Sequence, residues 1–288
     1  MDYILLVVSI AAGLTATLQK NSFSKKKSGG NTDVHFFNLI SSLVCAVLFL
    51  AVALLEGKGV SLFTAGLGVV FGTVTALGAF FGMKAYKNGP TSYTNLLIMS
   101  SMVIPALSGA VMFNETVGVS KIIGIILMLI AIALSVCNKA DRRASLSWLA
   151  LSLSAALFTG CVGVMQKVHQ SSAARDELMW FLCIAFTVSS VVSLLYVVFN
   201  QRKTPLTVRS DGKMLGAIVL CGIAVMLNNA INLYLSGVME SIIFFPTVNG
   251  ASIVLLLLVS LIFLKERVRP IQWVGIAAGF VAIILLCI

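Results

Sequence analysis

The side chains that could do chemistry in this sequence are mostly uncharged amides and hydroxyls inside long apolar stretches. The segment MLNNAINLY places three asparagines, Asn228, Asn229 and Asn232, within five residues. On a helix, Asn228 and Asn232 share one face and Asn229 flanks it. An amide that faces lipid without a partner is costly, so these side chains should face either another helix or a water-filled cavity. The sequence leaves both interpretations open.

Two other apolar stretches carry similar groups. TSYTNLLIMSS spans residues 91–101, and FFPTVNGAS spans residues 244–252, where Pro246 and Gly250 bracket Asn249. Proline and glycine beside a polar residue favour a bent helix whose backbone carbonyls face a cavity. We expect the asparagines of these stretches to converge on one water-accessible cavity. The predicted substrate-binding residues are Asn228, Asn229, Asn232, Tyr234, Asn95, Tyr93, Ser101, Asn249, Ser252 and Lys84.

Three lysines lie near the ends of apolar stretches. GLTATLQK (13–20) and GCVGVMQK (160–167) both end on Gln-Lys, which makes Gln19, Lys20, Gln166 and Lys167 candidates for gate or packing positions. Lys84 is one turn inside its predicted helix. A lysine placed in this way either extends to the membrane interface or binds an anionic group, and the sequence allows both roles for all three.

Nothing in the sequence predicts catalysis or metal binding. The ten carboxylates fall at helix ends or in connections, and the six cysteines lie in or at the ends of apolar runs without a Cys-x-x-Cys pair. His35 and His169 are predicted at membrane edges, far apart in the sequence. We therefore predict no enzyme activity, no cofactor and no metal site. Without a carboxylate in mid-span, a coupling ion (Na⁺ or H⁺) is left open.

Composition places the chain in a membrane. Hydrophobic residues make up 59% of the sequence, charged residues 10%, and the mean hydropathy is +1.05. A soluble domain carries about 25% charged residues. The net charge of +10 is spread over short connections, which suits contact with anionic headgroups and argues against nucleic-acid binding. The expected location is the inner or plasma membrane, with several passes.

Continuous apolar runs predict spanning helices and not a barrel, because they lack a barrel's alternation. The first run has no basic region before it and is interpreted as a spanning helix, not a cleaved signal peptide. The ten predicted spans are 2–19, 34–55, 61–85, 91–113, 118–138, 145–166, 178–199, 213–236, 240–264 and 270–288.

Short phrases recur at nearly constant spacing. GLTATLQK and GCVGVMQK are 147 residues apart, AYKNG and LYLSG are 148 apart, and Glu115 and Glu266 are 151 apart. This order predicts a duplication of five helices, with repeats at 1–138 and 145–288 and a linker at 139–144. Because five is odd, the second copy enters the membrane from the opposite side. Such inverted repeats are common in secondary transporters.

This arrangement resembles the drug/metabolite transporter superfamily, and its EamA-type members in particular. The likeness covers the whole chain and includes the acidic residue between the fourth and fifth helices of each half (FNETV and LKERV). It implies carrier-mediated movement of small metabolites without an ATP-binding part.

The orientation has two conflicting indications. Sixteen of the twenty basic residues lie in the odd-numbered connections, and only Lys58, Lys121, Lys167 and Arg175 lie on the other face. The positive-inside rule then places both termini outside the cell. The family resemblance implies both termini in the cytoplasm. We predict the orientation that follows from the charges.

The sequence thus predicts a transporter that moves a small polar metabolite by alternating access. A site built from amide and hydroxyl groups suits a neutral or zwitterionic solute, such as an amino acid or sugar derivative. One alternative is a phosphorylated or lipid-linked anionic substrate held by Lys84 or Lys20. A second, from another class, is a membrane scaffold or lipid scramblase that transports no metabolite.

Overall fold

The computed structural model describes residues 2–26, 30–89, 91–115, 118–136, 145–200, 202–207, 212–263 and 270–287. These ranges are largely helical and contain no β-strand, so the all-helical prediction is confirmed for them. Short 3₁₀ turns occupy Ser100–Met102 and Arg175–Glu177. The α-helices are α1 (Asp2–Lys26), α2 (Asn31–Glu56), α3 (Leu62–Asn88), α4 (Thr91–Met99), α5 (Val103–Met112), α6 (Val119–Val136), α7 (Leu146–Gln170), α8 (Leu178–Asn200), α9 (Gly212–Val238), α10 (Ser241–Phe263) and α11 (Pro270–Cys287).

The helix predicted at 91–113 is divided in two by the first 3₁₀ turn. Pro105 follows this turn in α5 and has no N–H to donate to the carbonyl of Ser101, so the regular helical bonding is interrupted there. The two pieces together occupy one predicted span. Eleven described α-helices therefore correspond to the ten predicted segments. By contrast, α10 continues through Pro246 without a break in helical assignment.

Several helices extend beyond their predicted ends. α1 runs to Lys26 instead of residue 19, and α7 runs to Gln170 instead of residue 166. A helix of 25 residues is about 37 Å long, which exceeds a hydrocarbon core of about 30 Å. Hydropathy detects only the apolar part of such a helix. As a result Lys20 and Lys167 lie on helices and not in connections.

Six of the described helices have the length and apolar composition to cross a membrane, namely α1, α2, α3, α7, α8 with its preceding turn, and α9. Shorter apolar helical segments lie at Leu97–Met112, Val119–Ala131 and Trp273–Ala282. Serines cap two of the long helices. Ser61 accepts a hydrogen bond from the backbone of Thr64 at 3.2 Å, and Ser145 accepts one from the backbone of Trp148 at 3.1 Å.

Helices α1–α6, from the first half of the sequence, pack extensively against helices α7–α11, from the second half. α2 packs on α8 and α9, α3 packs on α7 and α8, α1 packs on α9, and α6 packs on α11. Two glycines mark the closest approaches. A Cβ on Gly72 would lie 2.1 Å from the carbonyl oxygen of Ala185, and a Cβ on Gly222 would lie 2.9 Å from that of Ser41. These positions need glycine because backbone meets backbone there.

Two buried or partly buried carboxylates fasten loops across these contacts. Asp33 at the start of α2 accepts a hydrogen bond from the backbone of Thr207 at 2.9 Å, just before α9. Glu177 before α8 accepts hydrogen bonds from the backbone and hydroxyl of Ser61, each at 2.8 Å, just before α3. These contacts fasten the start of α2 to the segment before α9, and the segment before α8 to the start of α3.

Candidate functional site

A cavity of about 280 Å³ lies between α1, α4, α5, α7, α9 and α10. The predicted asparagines of α4, α9 and α10 all line it, and so do both predicted serines. The rest of the lining includes the hydroxyls of Thr17 and Thr159 and apolar side chains such as Met99 of α4 and Phe244 and Phe245 of α10. The predicted residues that line this cavity are Asn95, Ser101, Asn228, Asn229, Asn232, Asn249, Ser252, Lys20 and Gln166.

The α1–α9 wall of the cavity is held by a hydrogen-bond network. Asn228 Nδ2 donates to the carbonyl oxygen of Ser9 at 2.9 Å and to its hydroxyl at 3.1 Å. The Ser9 hydroxyl donates to Asn232 Oδ1 at 2.5 Å. Gly13, one turn after Ser9, makes room for this network, because a Cβ there would lie 2.9 Å from Asn228 Nδ2. The two asparagines therefore join helices and line the cavity at once.

The other amides are held so that some of their polar atoms remain available. Asn229 Nδ2 donates to the Val225 carbonyl at 2.9 Å, and Asn249 Nδ2 donates to the Phe245 carbonyl at 3.0 Å, each within its own helix. Their Oδ1 atoms are left as acceptors. Asn95 is held the opposite way, since its Oδ1 accepts from the hydroxyl of Tyr86 at 2.6 Å. The cavity can therefore offer both donors and acceptors to a solute.

Among the described residues that line this cavity, Lys20 has the one charged side chain, and none is a carboxylate. The side chain is half-buried on α1. Elsewhere in the described ranges, no group of three or more His, Cys, Asp or Glu side chains is placed to hold a metal ion. Charge in the cavity wall is therefore positive.

Lys167 does not line the cavity and is bound in an ion pair at one end of the bundle. Its Nζ lies 2.9 Å from Glu115 Oε1 and 3.0 Å from the carbonyl oxygen of Met239. Glu115 also accepts hydrogen bonds from the backbone N–H groups of Ser241 at 2.9 Å and Ile242 at 3.3 Å. This cluster joins the end of α5, the end of α7 and the start of α10.

The environment of Glu115 favours its charged form. Partial burial acts to raise the pKa of Glu115, but the hydrogen bonds from the Ser241 backbone and from Lys167 outweigh it and lower the pKa below 4.5. The positive end of the α10 dipole acts in the same direction. A second ion pair, between Lys121 and Glu240, lies beside this cluster. The end of the bundle is therefore closed by paired charges.

Two predicted residues point away from the cavity. Lys84 Nζ lies 5.0 Å from the ring centre of Phe80, in a cation–π contact. Tyr234 is 44% exposed and lines a separate surface pocket near α8. Two residues turn a helix by about 200°, so Tyr234 lies on the opposite side of α9 from Asn232.

Three further positions named in the sequence analysis are not among the described side chains that line the cavity. Gln19 is half-buried and does not line it. The side chain of Tyr93 lies outside the described residues, although its backbone belongs to α4. Glu266 lies outside the described residues altogether.

Sequence reasoning missed four residues that shape the site, namely Ser9, Gly13, Tyr86 and Glu115. Ser9 and Gly13 share the α1 face that also carries Lys20, at helical spacing, and Gly13 begins the repeated phrase. That face could have been recognised from the sequence. The partners of Tyr86 and Glu115 come from other helices, and no local pattern indicates them.

Comparison with known proteins supports the interpretation of the fold and class. The model of the EamA-like transporter family matches residues 1–137 and 146–288. A solved structure described as "Crystal structure of protein" is 15% identical, with a TM-score of 0.76 over 99% of this chain and 95% of its own. A comparison with curated proteins finds no match. The resemblance inferred from the sequence is confirmed: the chain belongs to the EamA-like transporter family, and it is a multi-pass membrane protein of the drug/metabolite transporter type.

Proposed function

We propose that the protein is a secondary transporter that binds a small polar metabolite in the central cavity and moves it across the cell membrane by alternating access. The observation that carries this proposal is the convergence of asparagines from α4, α9 and α10 on one cavity. Its volume of about 280 Å³ lies just below the range typical of sites for drug-sized ligands. A solute the size of an amino acid or a monosaccharide fits this space.

The packing of helices supports a pair of inverted repeats. In the proposed repeat, α1, α2 and α3 correspond to α7, α8 and α9. The contact between α3 and α7 then has its counterpart in the contact between α9 and α1, and the contact between α3 and α8 has its counterpart in that between α9 and α2. All four contacts are present. The hydroxyls of Ser42 and Ser189 are 3.1 Å apart, and these residues are separated by 147 positions. A residue that contacts its own repeat mate must lie near the axis that relates the halves.

Helix lengths support the same division. α1 and α7 each have 25 residues, α3 and α9 each have 27, and α6 and α11 each have 18. The two segments matched by the family model also fall at residues 1–137 and 146–288. We propose repeats at 1–138 and 145–288. The linker at 139–144 lies outside the described residues.

The ion pair between Glu115 and Lys167 is the gate that closes one face in this conformation. It fastens the start of α10 to the end of α7, so solute cannot enter between them while the pair is intact. In the repeat, Lys20 is the mate of Lys167 and Glu266 is the mate of Glu115. We propose that this second pair closes the opposite face in the alternate conformation, as inverted repeats require.

Uptake into proteoliposomes tests the proposal. The purified protein is reconstituted and exposed to a library of radiolabelled amino acids, sugars and small organic acids, with empty liposomes as the baseline. We expect saturable uptake of at least one class, and loss of that uptake in Asn249→Leu. A protein that moves lipid between leaflets but takes up no metabolite would instead be a scramblase, and the proposal would be wrong.

A further inference from the structure

Lys20 occupies a different environment from its repeat mate. It lines the central cavity and also a smaller adjoining cavity of about 200 Å³ beside α3 and α7. Lys167 is neutralised by Glu115 at 2.9 Å. In the part of the chain that the structure describes, no group accepts a hydrogen bond or forms an ion pair with Lys20 Nζ. Among the described residues, the cavity therefore contains a cationic group without a protein counter-ion.

We propose that Lys20 binds an anionic group of the transported solute, so the substrates are small metabolites with a carboxylate or a phosphate. This inference rests on the proposed function and narrows its substrate class. An ammonium group taken from water is stabilised only when a charge or acceptor replaces its hydration. A solute anion supplies both. A cationic solute would be repelled by Lys20, because none of the described residues that line the cavity is a carboxylate.

The remaining polar atoms indicate what else the solute carries. Asn95 Nδ2 can donate to the same anion, because only the Oδ1 of Asn95 is engaged, by Tyr86. The Oδ1 atoms of Asn229 and Asn249 can accept from a hydroxyl or an ammonium group, because their Nδ2 atoms are engaged within α9 and α10. Hydroxy acids, amino acids and small sugar phosphates have this combination of one anion and nearby donors. Solutes with two separate anionic groups lack a second cation in the described lining.

A paired ligand series tests the proposal on the full-length protein in detergent. Each 2-hydroxy acid or amino acid is compared with its carboxamide, and each sugar phosphate with the free sugar, by calorimetry and thermal stabilisation. Inorganic phosphate is included as a minimal anion. The variants are Lys20→Gln, Lys20→Arg and, as a matched control, Lys84→Gln. Lys84 is also near a helix end, but it lies over the Phe80 ring and outside the cavity.

We expect the acids or the phosphates to bind wild-type protein, and the partners that lack the anionic group to bind at least tenfold more weakly. Lys20→Gln should lose about tenfold or more in affinity for the anionic members, which is typical of a lost hydrogen bond to a charged group. Lys20→Arg should lose far less, and Lys84→Gln should not change affinity. Preference for carboxylates over phosphates, or the reverse, identifies the anionic group.

Three outcomes would overturn the inference. Equal binding of an acid and its carboxamide to wild-type protein would show that no anion is recognised, and this comparison does not depend on how any variant folds. Unchanged anion affinity in Lys20→Gln would leave Lys20 with a gate role only. In both cases the transporter proposal stands if solutes still bind. If no member of the series, charged or uncharged, binds wild-type protein, the cavity is not a solute site and both proposals fail.

Discussion

Glu115→Gln tests whether the ion pair with Lys167 holds one face of the protein closed. The substitution keeps the size of the side chain and removes its charge. It leaves an amide oxygen that can still accept from the backbone of Ser241, and Lys167 keeps the carbonyl oxygen of Met239 at 3.0 Å. The change therefore removes the charge pairing without emptying the space between α7 and α10.

The expected effect follows from burial and from the bonds that are lost. The side chains of Glu115 and Lys167 are only 8% and 10% exposed, so solvent screens the pair little. Removing one partner of a buried pair costs about 3–5 kcal/mol, and one hydrogen bond to a charged group contributes about 1.5–3 kcal/mol. Because glutamine preserves part of the bonding, we expect the closed face to lose about 2–3 kcal/mol. That corresponds to a shift of roughly 30- to 150-fold toward the open conformation.

Accessibility of a cysteine behind the gate measures this shift. Gln166→Cys, in a protein whose six native cysteines are replaced, places a thiol in the cavity wall one residue before Lys167. The thiol is labelled with a membrane-impermeant reagent applied from the side of Glu115. The rate of labelling reports the open fraction. Glu115→Gln should raise this rate by about the factor given above, until opening ceases to limit it.

A matched control lies on the same face. Lys58→Gln removes an ion pair with Glu56 at 3.7 Å, whose side chains are 50% and 34% exposed. Exposed pairs contribute about 0–1 kcal/mol, so labelling should change by less than about fivefold. Equal labelling in wild type and Glu115→Gln would refute the gate. So would an equal increase in Glu115→Gln and Lys58→Gln, because loss of an exposed ion pair would then have the same effect as loss of the proposed gate.

Acidification provides a second test of the same gate. The pKa of Glu115 is lowered from 4.5, so its contribution to the closed face is complete above about pH 4.5. That contribution is lost as the pH falls through the lower pKa of the folded protein. The labelling rate of wild-type protein, divided by that of Glu115→Gln at the same pH, should therefore increase below pH 4.5, because the loss of reactive thiolate on acidification is common to both proteins. Parallel pH profiles would show that another group controls closure.

Three other predictions concern the site, the packing and the orientation. Asn249→Leu should abolish solute binding and change the unfolding free energy by no more than about 1 kcal/mol. Asn228→Leu should also lower the unfolding free energy by about 1–3 kcal/mol, because it breaks hydrogen bonds to α1. Equal stability of the two variants would contradict this prediction. Gly72→Ala should lower stability in detergent by at least about 1–3 kcal/mol, because its Cβ would meet a carbonyl of α8, while Gly216→Ala, in open space, should not. A reporter active only in the periplasm, fused after Ile288, should be active, and activity of a cytoplasmic reporter instead would show that the charge bias does not set the orientation.

The polar content of the cavity was predictable because an amide in an apolar span has few alternatives to a buried partner or a wet cavity. Asn95, Asn232 and Asn249 were identified on that basis, and all three line the cavity. The directions of Lys84 and Tyr234 were not predictable. Both depend on the rotation of a helix about its own axis, which weakly amphipathic spans do not encode. The ion pair between Glu115 and Lys167 was not predicted either, because its two residues come from segments far apart in the sequence.

The two proposed repeats have similar helices but different side chains at the interfaces that would be equivalent. α3 and α9 have equal lengths, and under the spacing of 148 residues between AYKNG and LYLSG, Phe80 and Lys84 would be the counterparts of Asn228 and Asn232. A Cβ on Gly78 would lie 3.2 Å from Phe158 of α7, whereas Asn228 on α9 contacts α1 through hydrogen bonds.

The interface between α3 and α7 is therefore apolar and close-packed at this point, whereas the interface between α1 and α9 supplies a polar wall of the cavity. Alternating access needs a symmetric frame so that closure at one face can mirror opening at the other. A small metabolite has no such symmetry and needs donors and acceptors in one fixed arrangement. In the proposed mechanism, confining the asparagines of this helix pair to α9 satisfies both requirements, since the frame can exchange conformations while only one of the two interfaces supplies polar groups to the cavity.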